Sequence, residues 1–385
     1  MSRPVAARPS VVVVAEAAPM RGGIATFAET ITADPRLGNH FDVTLLNTAR
    51  TATRQGGRFS LDNVRFALGD AWRTFRASRR ADIVHVQLVA DPGLPSLRAA
   101  ALNIAARAGG ARLVAHVHSA VGNAGRPEFG SYGLVDRLAL RTLALADHVC
   151  TVSEVGSATM RSFSGRTAVE TIDNAVEIAA FSPTAVDRVP PTVLFVGVIC
   201  RRKGTIELAR AARMLREERG VTGWRLVVVG GPGPTPQDEY DEIVAEFTAA
   251  GLADALVGPE FGPAVQQRLR EADVFALPSY LEGQPIAILE AMATGVPVVG
   301  TAIGAVPDVI RDGTDGFVIQ SGDVSALADA LQCLIEDPAR RRAMGSAIRE
   351  RAEARHSLER LADNLTRVYR TVLGLPALTS QEVSR

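Results

Sequence analysis

Short apolar runs recur along the chain, and most are followed by a stretch whose apolar positions are spaced three and four residues apart. The runs are the length of buried strands, and the intervening spacing is that of helices with one apolar face. In the first half the pattern predicts strands at Val11–Ala15, Val43–Leu46, Ile83–Val86, Leu113–Val117 and His148–Val152. A segment with Pro183, Pro190 and Pro191 follows Phe181 and reads as a linker. A second series follows at Val193–Val198, Leu226–Val229, Leu256–Val257, Val274–Leu277, Val298–Val299 and Phe317–Val318. The chain from Pro338 to Leu373 is helical and Arg-rich, and the last residues are weakly patterned. Strands alternating with helices predict an α/β fold of parallel sheets covered on both faces. At 385 residues the chain exceeds one ordinary core, so two domains are expected, 1–186 and 187–355.

The densest signal is the stretch from Ala272 to Gly300, ADVFALPSYLEGQPIAILEAMATGVPVVG. Val274–Leu277 reads as a strand and Pro278-Ser279 ends it. Pro285 suits the first position of a helix, where its missing N–H costs nothing. Gly295 and Pro297 stop that helix before the next apolar run, Val296 to Val299. Glu282 precedes the helix start and Glu290 lies inside it. At a 1.5 Å rise per residue the two carboxylates are on the order of 10 Å apart, on either side of the free amides of a helix start. Such amides favour a phosphate, Gly283 permits close backbone approach, and carboxylates accept hydrogen bonds from sugar hydroxyls. A diphosphate flanked by two sugars, as in a nucleotide-sugar, matches that arrangement. Two acids alone also fit a solvated loop and an ordinary helix.

The surrounding residues change the balance. ADVFALPS, EGQPIAILEAMA and GVPVVGT, with Glu282 and Glu290 as an E-x7-E pair, resemble the donor-site signature of the GT-B retaining glycosyltransferases, family 4. The resemblance runs from Gly22 to Tyr369 and is strongest from Asp273 to Gly300. It implies a GT-B fold of two Rossmann-like doubly wound domains facing each other across a cleft. A final helix, about 356–376, would pack back on the first domain. It further implies that Glu282 holds the donor sugar, that Glu290 holds the ribose, and that Gly283, Gln284, Pro285 and Ile286 line the diphosphate. No metal or other cofactor is required.

Other loops bear on the same resemblance. Arg21-Gly22-Gly23 follows the first strand and precedes a helix, at the ligand-facing edge of a parallel sheet. A dinucleotide fold would want G-x-G-x-x-G and an acid at the end of strand two, where Leu46-Asn47 stands. The resemblance assigns Gly22 and Gly23 to the donor phosphate and acceptor. His116 and His118 share one face of a strand without a third metal ligand nearby. The family places a His at this strand end, and His118 fits it as a hydrogen-bonding group beside the reaction centre. Asp147-His148-Val149 through Ser153-Glu154 matches a family landmark, as does Ile172-Asp173-Asn174, where Ala175 replaces the usual glycine. Val196 to Gly204 corresponds to the family's G-R-x4-K-G. Lys203 and Gly204 keep their places, but Val198 stands where an arginine is expected, leaving Lys203 alone or joined by Arg201 or Arg202. Gly230 to Gly233 and Gly258 to Gly262 fit nucleotide-side turns, and Gly304 to Asp308 reads as structural.

Composition narrows the class. Lys plus Arg and Asp plus Glu are both 42, which argues against a general nucleic-acid binder. Cys150, Cys200 and Cys333 are few and lack metal-like spacing, so a reduced cytoplasm is expected. MSRPVAARPS followed by Val11–Val14 is too short an apolar segment for a signal peptide. No segment nears the roughly 20 apolar residues that span a bilayer. From Arg50 to Arg80 eight arginines face Asp62 and Asp70, with a helix expected over Val64–Arg80. Either Val64, Leu68, Ala71-Trp72 and Phe75 form a core face opposite solvated arginines, or the helix is a patch for anionic lipid or a lipid-diphosphate acceptor. The expected activity is transfer of a sugar from a nucleotide-sugar to a hydroxyl acceptor. Alternatives on the same fold are an epimerase or phosphorylase, and a catalytically weak nucleotide-sugar-binding protein.

Overall fold

The computed structural model describes residues 8–20, 22–49, 61–119, 132–183, 188–233 and 235–378. Arg21, Arg50, Arg54 and Arg58 lie outside the described residues. The chain divides into two compact units, Met1–Asn174 with Leu358–Arg385, and Ala175–Ser357. The division falls at Asn174/Ala175, ahead of the proline-containing segment, and not at 186/187.

The first unit holds β1 (Ser10–Ala15), β2 (Asp42–Asn47), β3 (Ile83–Leu88), β4 (Arg112–Val117), β5 (His148–Thr151) and β6 (Val169–Thr171). They form one parallel sheet in the order β2-β1-β3-β4-β5-β6. Every residue of β3 is buried, as helices on both faces require. The strand β6, Val-Glu-Thr, is three residues long and half-buried along its length, too short for an apolar run or an alternation to reveal it. The helices are α1 (Gly23–Ala33), α2 (Pro35–His40), α3 (Leu61–Ser78), α4 (Leu94–Gly109), α5 (Leu134–Leu140) and α6 (Glu154–Arg161). Packing of α3 on α4 and of α4 on α5 makes one helical layer.

Of the two readings of α3, a core face or an outward patch, the structure puts Leu68 and Trp72 outward and leaves Val64, Ala71 and Phe75 half-buried. Leu68 is 64 % exposed and Trp72 59 %, whereas Asp70, Thr74 and Ser78 are buried. The cause is close packing on α4. A Cβ on Gly109 would stand 2.4 Å from the Ser78 Cβ, so only small side chains fit between the helices. Ser78 Oγ donates to the Ala106 carbonyl at 2.5 Å and Thr74 Oγ1 to the Asp70 carbonyl at 2.8 Å. Arg73 and Arg98 approach the Asp70 carboxylate to 3.7 and 3.5 Å. The seam is thus polar but paired, and Leu68 and Trp72 point outward while Phe75 is half-buried.

The second unit holds β7 (Thr192–Val196), β8 (Arg225–Val229), β9 (Leu256–Gly258), β10 (Val274–Leu277), β11 (Val298–Thr301) and β12 (Gly316–Ile319). Its parallel order is β12-β11-β10-β7-β8-β9. Its helices are α7 (Thr205–Arg213), α8 (Gln237–Ala249), α9 (Pro263–Arg270), α10 (Ile286–Thr294), α11 (Val306–Val309), α12 (Val324–Glu336) and α13 (Pro338–Arg355). The last helix, α14 (Leu358–Val372), groups with the first unit and packs on α2. No helix among the described residues is long and apolar enough to cross a membrane.

Candidate active site

In the second sheet β7 lies beside β10, so the loops leaving their C-terminal ends are neighbours although 79 residues apart in sequence. Gly204 and Gly304 explain how closely the backbones meet. Gly204 has φ 70°, and a Cβ there would stand 1.9 Å from the Pro278 carbonyl oxygen. Gly304 has φ 49°, and its Cβ would stand 2.1 Å from the Glu282 carbonyl oxygen. Neither position admits a side chain without moving the loop that carries Glu282.

Hydrogen bonds then knit the loops together. The Tyr280 amide donates to the Arg202 carbonyl at 2.8 Å, and Arg202 Nη1 donates to the Leu281 carbonyl at 3.0 Å. Lys203 Nζ lies 2.5 Å from Glu282 Oε1, and Ser279 Oγ donates to the same oxygen at 2.8 Å. The Ser279 carbonyl in turn accepts from Thr301 Oγ1 at 2.5 Å. Lys203 and Glu282 side chains are only 15 % and 8 % exposed, so each charge depends on the other for its solvation.

Pro285 is the N-cap of α10, one residue before the first helical position that its sequence suggested. Its φ and ψ of −69° and 120° are extended, and its carbonyl accepts from the amides of Ile288 and Leu289. Gly283 and Ile286 are half-buried at this helix start, while Gln284 and Pro285 are buried. Further along α10 burial pushes the Glu290 carboxyl up to about 7, because the ionised form loses water.

Of the neighbouring arginines, Arg201 is drawn away. Its amide donates to Glu239 Oε1 at 2.7 Å and its guanidinium pairs with Glu242, both on α8. Arg202 stays against the Glu282 loop. Val198 turns to the Gly230–Gly233 turn, its Cγ1 3.0 Å from where a Gly233 Cβ would be.

In the first unit His118 follows β4, with Nε2 2.7 Å from Gln87 Oε1 of β3. Phe27 of α1 meets the rings of His116 and His118 edge-on at 4.9 and 4.8 Å, so the helix opened by Gly22 and Gly23 packs directly on this strand end. His85, His116 and His118 stack in series, with centroids 5.4 and 4.3 Å apart. Burial pushes His85 and His118 down to about 3 and His116 well below its ordinary range. All three imidazoles are therefore neutral at pH 7, and His118 can exchange hydrogen bonds but holds no charge.

Thus Arg202, Lys203, Glu282 and Gly283–Ile286 come together, with Glu290 on the same helix, while His118, Gly22 and Gly23 belong to the first unit. Sequence reasoning passed over Ser279, Gln87 and Phe27 as contributors. A polar residue inside the apolar run of β3 was the available signal for Gln87. Among the described residues no cluster of three or more His, Cys, Asp or Glu side chains is arranged to hold a metal ion.

Two six-stranded parallel sheets with this loop geometry define a GT-B fold of the glycosyltransferase class. Two family models divide the chain between them, Glycosyltransferase Family 4 over residues 11–180 and Glycosyl transferases group 1 over residues 179–351. The chain belongs to glycosyltransferase family 4. It is 30% identical over 238 residues to a D-inositol 3-phosphate glycosyltransferase of Salinispora arenicola (strain CNS-205), covering 57% of this chain and 53% of that one. It is 35% identical over 197 residues to an alpha-maltose-1-phosphate synthase of Mycolicibacterium smegmatis, covering 49% of each. The chain spans about half the length of these relatives. In fold it is similar to sucrose-phosphate synthase from Thermosynechococcus elongatus, with a TM-score of 0.77 at 20% identity over 95% of this chain and 100% of that one. It is also similar to Anabaena Alr3699/HepE in complex with UDP-glucose, with a TM-score of 0.71 at 18% identity over 94% and 99%.

Proposed function

We propose that the protein is a retaining glycosyltransferase that moves a sugar from a nucleotide-sugar to a hydroxyl of a glycan, a lipid-linked acceptor or a small molecule. The observation that carries this reading is the Lys203–Glu282 pair set beside the start of α10. Glu282 takes the donor-sugar hydroxyls and Glu290 the ribose hydroxyls. Lys203, Arg202 and the backbone from Gly283 to Ile286 meet the diphosphate. As the bond from the anomeric carbon to the diphosphate breaks, negative charge grows on the departing oxygen, and the same groups stabilise it. The acceptor oxygen attacks from the face the phosphate leaves, and its proton passes to that phosphate. In the first unit we assign neutral His118 and the Gly22–Gly23 turn to the sugar and acceptor side of the reaction.

Protein cations and amides alone supply the charge in this scheme, with no metal or other cofactor. We place the enzyme in the cytoplasm, working against the inner face of a membrane. A uridine diphosphate sugar is the first donor to try, since the similar fold of HepE carries UDP-glucose.

A panel of UDP, GDP, ADP and their sugars read by thermal shift tests the reading. A ligand at 100 times its dissociation constant should stabilise by roughly 2.7 kcal/mol. Glu290→Ala should abolish the shift from the cognate nucleotide, and Glu282→Ala should weaken discrimination between sugars. Unchanged shifts in both variants would remove the site assignment. One observation favours a second reading: Val198 puts a packed aliphatic side chain where the family has an arginine. A nucleotide-sugar-binding protein of low turnover would bind donor tightly and transfer to no acceptor.

A further inference from the structure

We propose that the outward stripe of α3 seats the protein on an anionic lipid surface, with Trp72 entering the headgroup region. The inference rests on the reading that the enzyme works at a membrane, and it names the surface that makes the contact. Arg65, Leu68, Trp72, Arg76 and Arg79 are spaced three and four apart, so they lie along one side of the helix. All five are exposed. The opposite side is the paired polar seam on α4, with Asp70, Thr74 and Ser78 buried, so the helix has no freedom to rotate its large apolar residues inward. Trp72 stacks on Phe75 at 5.5 Å, and the Arg79 guanidinium lies 6.0 Å from the Phe75 centroid. An aromatic pair with guanidinium groups beside it suits the boundary between headgroups and acyl chains.

Charge and position favour lipid over a protein partner. Along α3 and the turn after it Arg65, Arg73, Arg76, Arg79 and Arg80 are exposed, whereas Asp70 is withdrawn into the seam, so Asp62 is the one exposed acid between residues 62 and 80. Each such arginine strengthens attraction to an anionic surface by about fivefold. Exposed apolar side chains also recur along this stretch of the sequence. Among the described residues, nine of the fourteen exposed large hydrophobic side chains fall between Phe66 and Leu145, on or next to α3, α4 and α5. Leu68 and Trp72 on α3, Ile104 on α4 and Leu138 on α5 are each more than half exposed. Leu68 and Trp72, four residues apart on one side of α3, add apolar area to this basic face.

The test uses the full chain with vesicles of phosphatidylcholine, with and without phosphatidylglycerol. The chain has two tryptophans, and Trp224 is already buried at 8 % exposure, so a blue shift of emission on adding vesicles reports Trp72. We expect that shift and co-sedimentation only with phosphatidylglycerol, both weakened by salt. Arg76→Glu with Arg79→Glu should lower partitioning at least tenfold, and Trp72→Ser should weaken it while the thermal shift with nucleotide is retained. Co-sedimentation without a Trp72 shift, or unchanged in these variants, would overturn the proposed surface and leave the membrane reading standing. No co-sedimentation at all would overturn both. A Trp72 shift that follows protein concentration without lipid would instead identify a second copy of the chain as the occupant.

Discussion

Lys203 Nζ rests 2.5 Å from Glu282 Oε1 with Ser279 Oγ on the same oxygen, so the proposed phosphate cation and the proposed sugar acceptor neutralise each other before any donor arrives. A diphosphate that draws Lys203 away leaves Glu282 needing new donors, and the sugar hydroxyls are the groups that can supply them. Nucleotide and sugar recognition should therefore be non-additive. The intact nucleotide-sugar should bind more tightly than the nucleoside diphosphate by a margin that shrinks in Glu282→Gln, where no charge is stranded. Isothermal titration of both ligands against both proteins checks this. An equal margin in the two proteins would show that Lys203 does not leave Glu282.

The same pair sets a stability expectation. Removing one partner of a buried ion pair costs about 3–5 kcal/mol because the other charge is left without solvation. Lys203→Met should lower the unfolding free energy of the second unit by that order, and adding Glu282→Gln should recover much of the loss. Denaturant unfolding followed by Trp224, which lies in that unit, measures the coupling.

Much of this site was legible in the sequence because its parts are local. The strand Val274–Leu277, the loop to Glu282 and a helix ending at Gly295 follow from apolar run length and Pro/Gly punctuation, and the structure moves the helix start by a single residue. The partners of those parts were not legible. Nothing local shows that Gly304 lies under the Glu282 carbonyl or that Arg201 turns to α8 while Arg202 stays. The orientation of α3, left open between a core face and an outward patch, was undecided for the same reason. Apolar periodicity reports which side can be buried, whereas the small residues at Asp70, Thr74, Ser78 and Gly109 decide which side the neighbouring helix can approach.

Glu290 gives the second unit a pH signature. Its carboxyl is pushed up to about 7 from an ordinary 4.5. The folded form therefore keeps its proton while the unfolded chain loses it, and stability falls as pH rises from 4.5 to 7, by up to about 3 kcal/mol. Glu290→Gln should flatten this slope in denaturant unfolding at pH 5 and pH 8. If ribose hydroxyls bond the carboxylate, nucleotide binding at pH 6.5 should release a proton, visible as a dependence of binding heat on the buffer.

The first unit should respond to acid in the opposite sense. The buried imidazoles of His85, His116 and His118 are held below the usual 6.5. The stability they contribute is fully present above pH 6.5 and is lost as pH falls, towards about 3 for His85 and His118, because the unfolded chain takes up protons that the folded unit refuses. Three such groups steepen the loss to at most about 4 kcal/mol per pH unit. His116→Leu should reduce the slope by about a third, as read by the pH dependence of the circular-dichroism transition.

Arg202 and Val198 offer the most direct reading of the departure from the family pattern. Arg202 is held at the Leu281 carbonyl beside Glu282, whereas Arg201 is held by Glu242 on α8. A guanidinium beside a diphosphate supplies charge-assisted bonds each worth about 1.5–3 kcal/mol. Arg202→Ala should therefore weaken donor binding about tenfold or more, and Arg201→Ala should leave it within about twofold. Val198→Arg restores the family residue, but the Val198 side chain packs against the Gly233 turn, so the new guanidinium helps only if it extends past that turn. We expect tighter binding of the nucleoside diphosphate and a faster transfer step in Val198→Arg. Binding unchanged or gained in Arg202→Ala would mean that Arg202 does not replace the missing arginine and that Lys203 carries the diphosphate alone, and a loss as large in Arg201→Ala would mean that both arginines reach it.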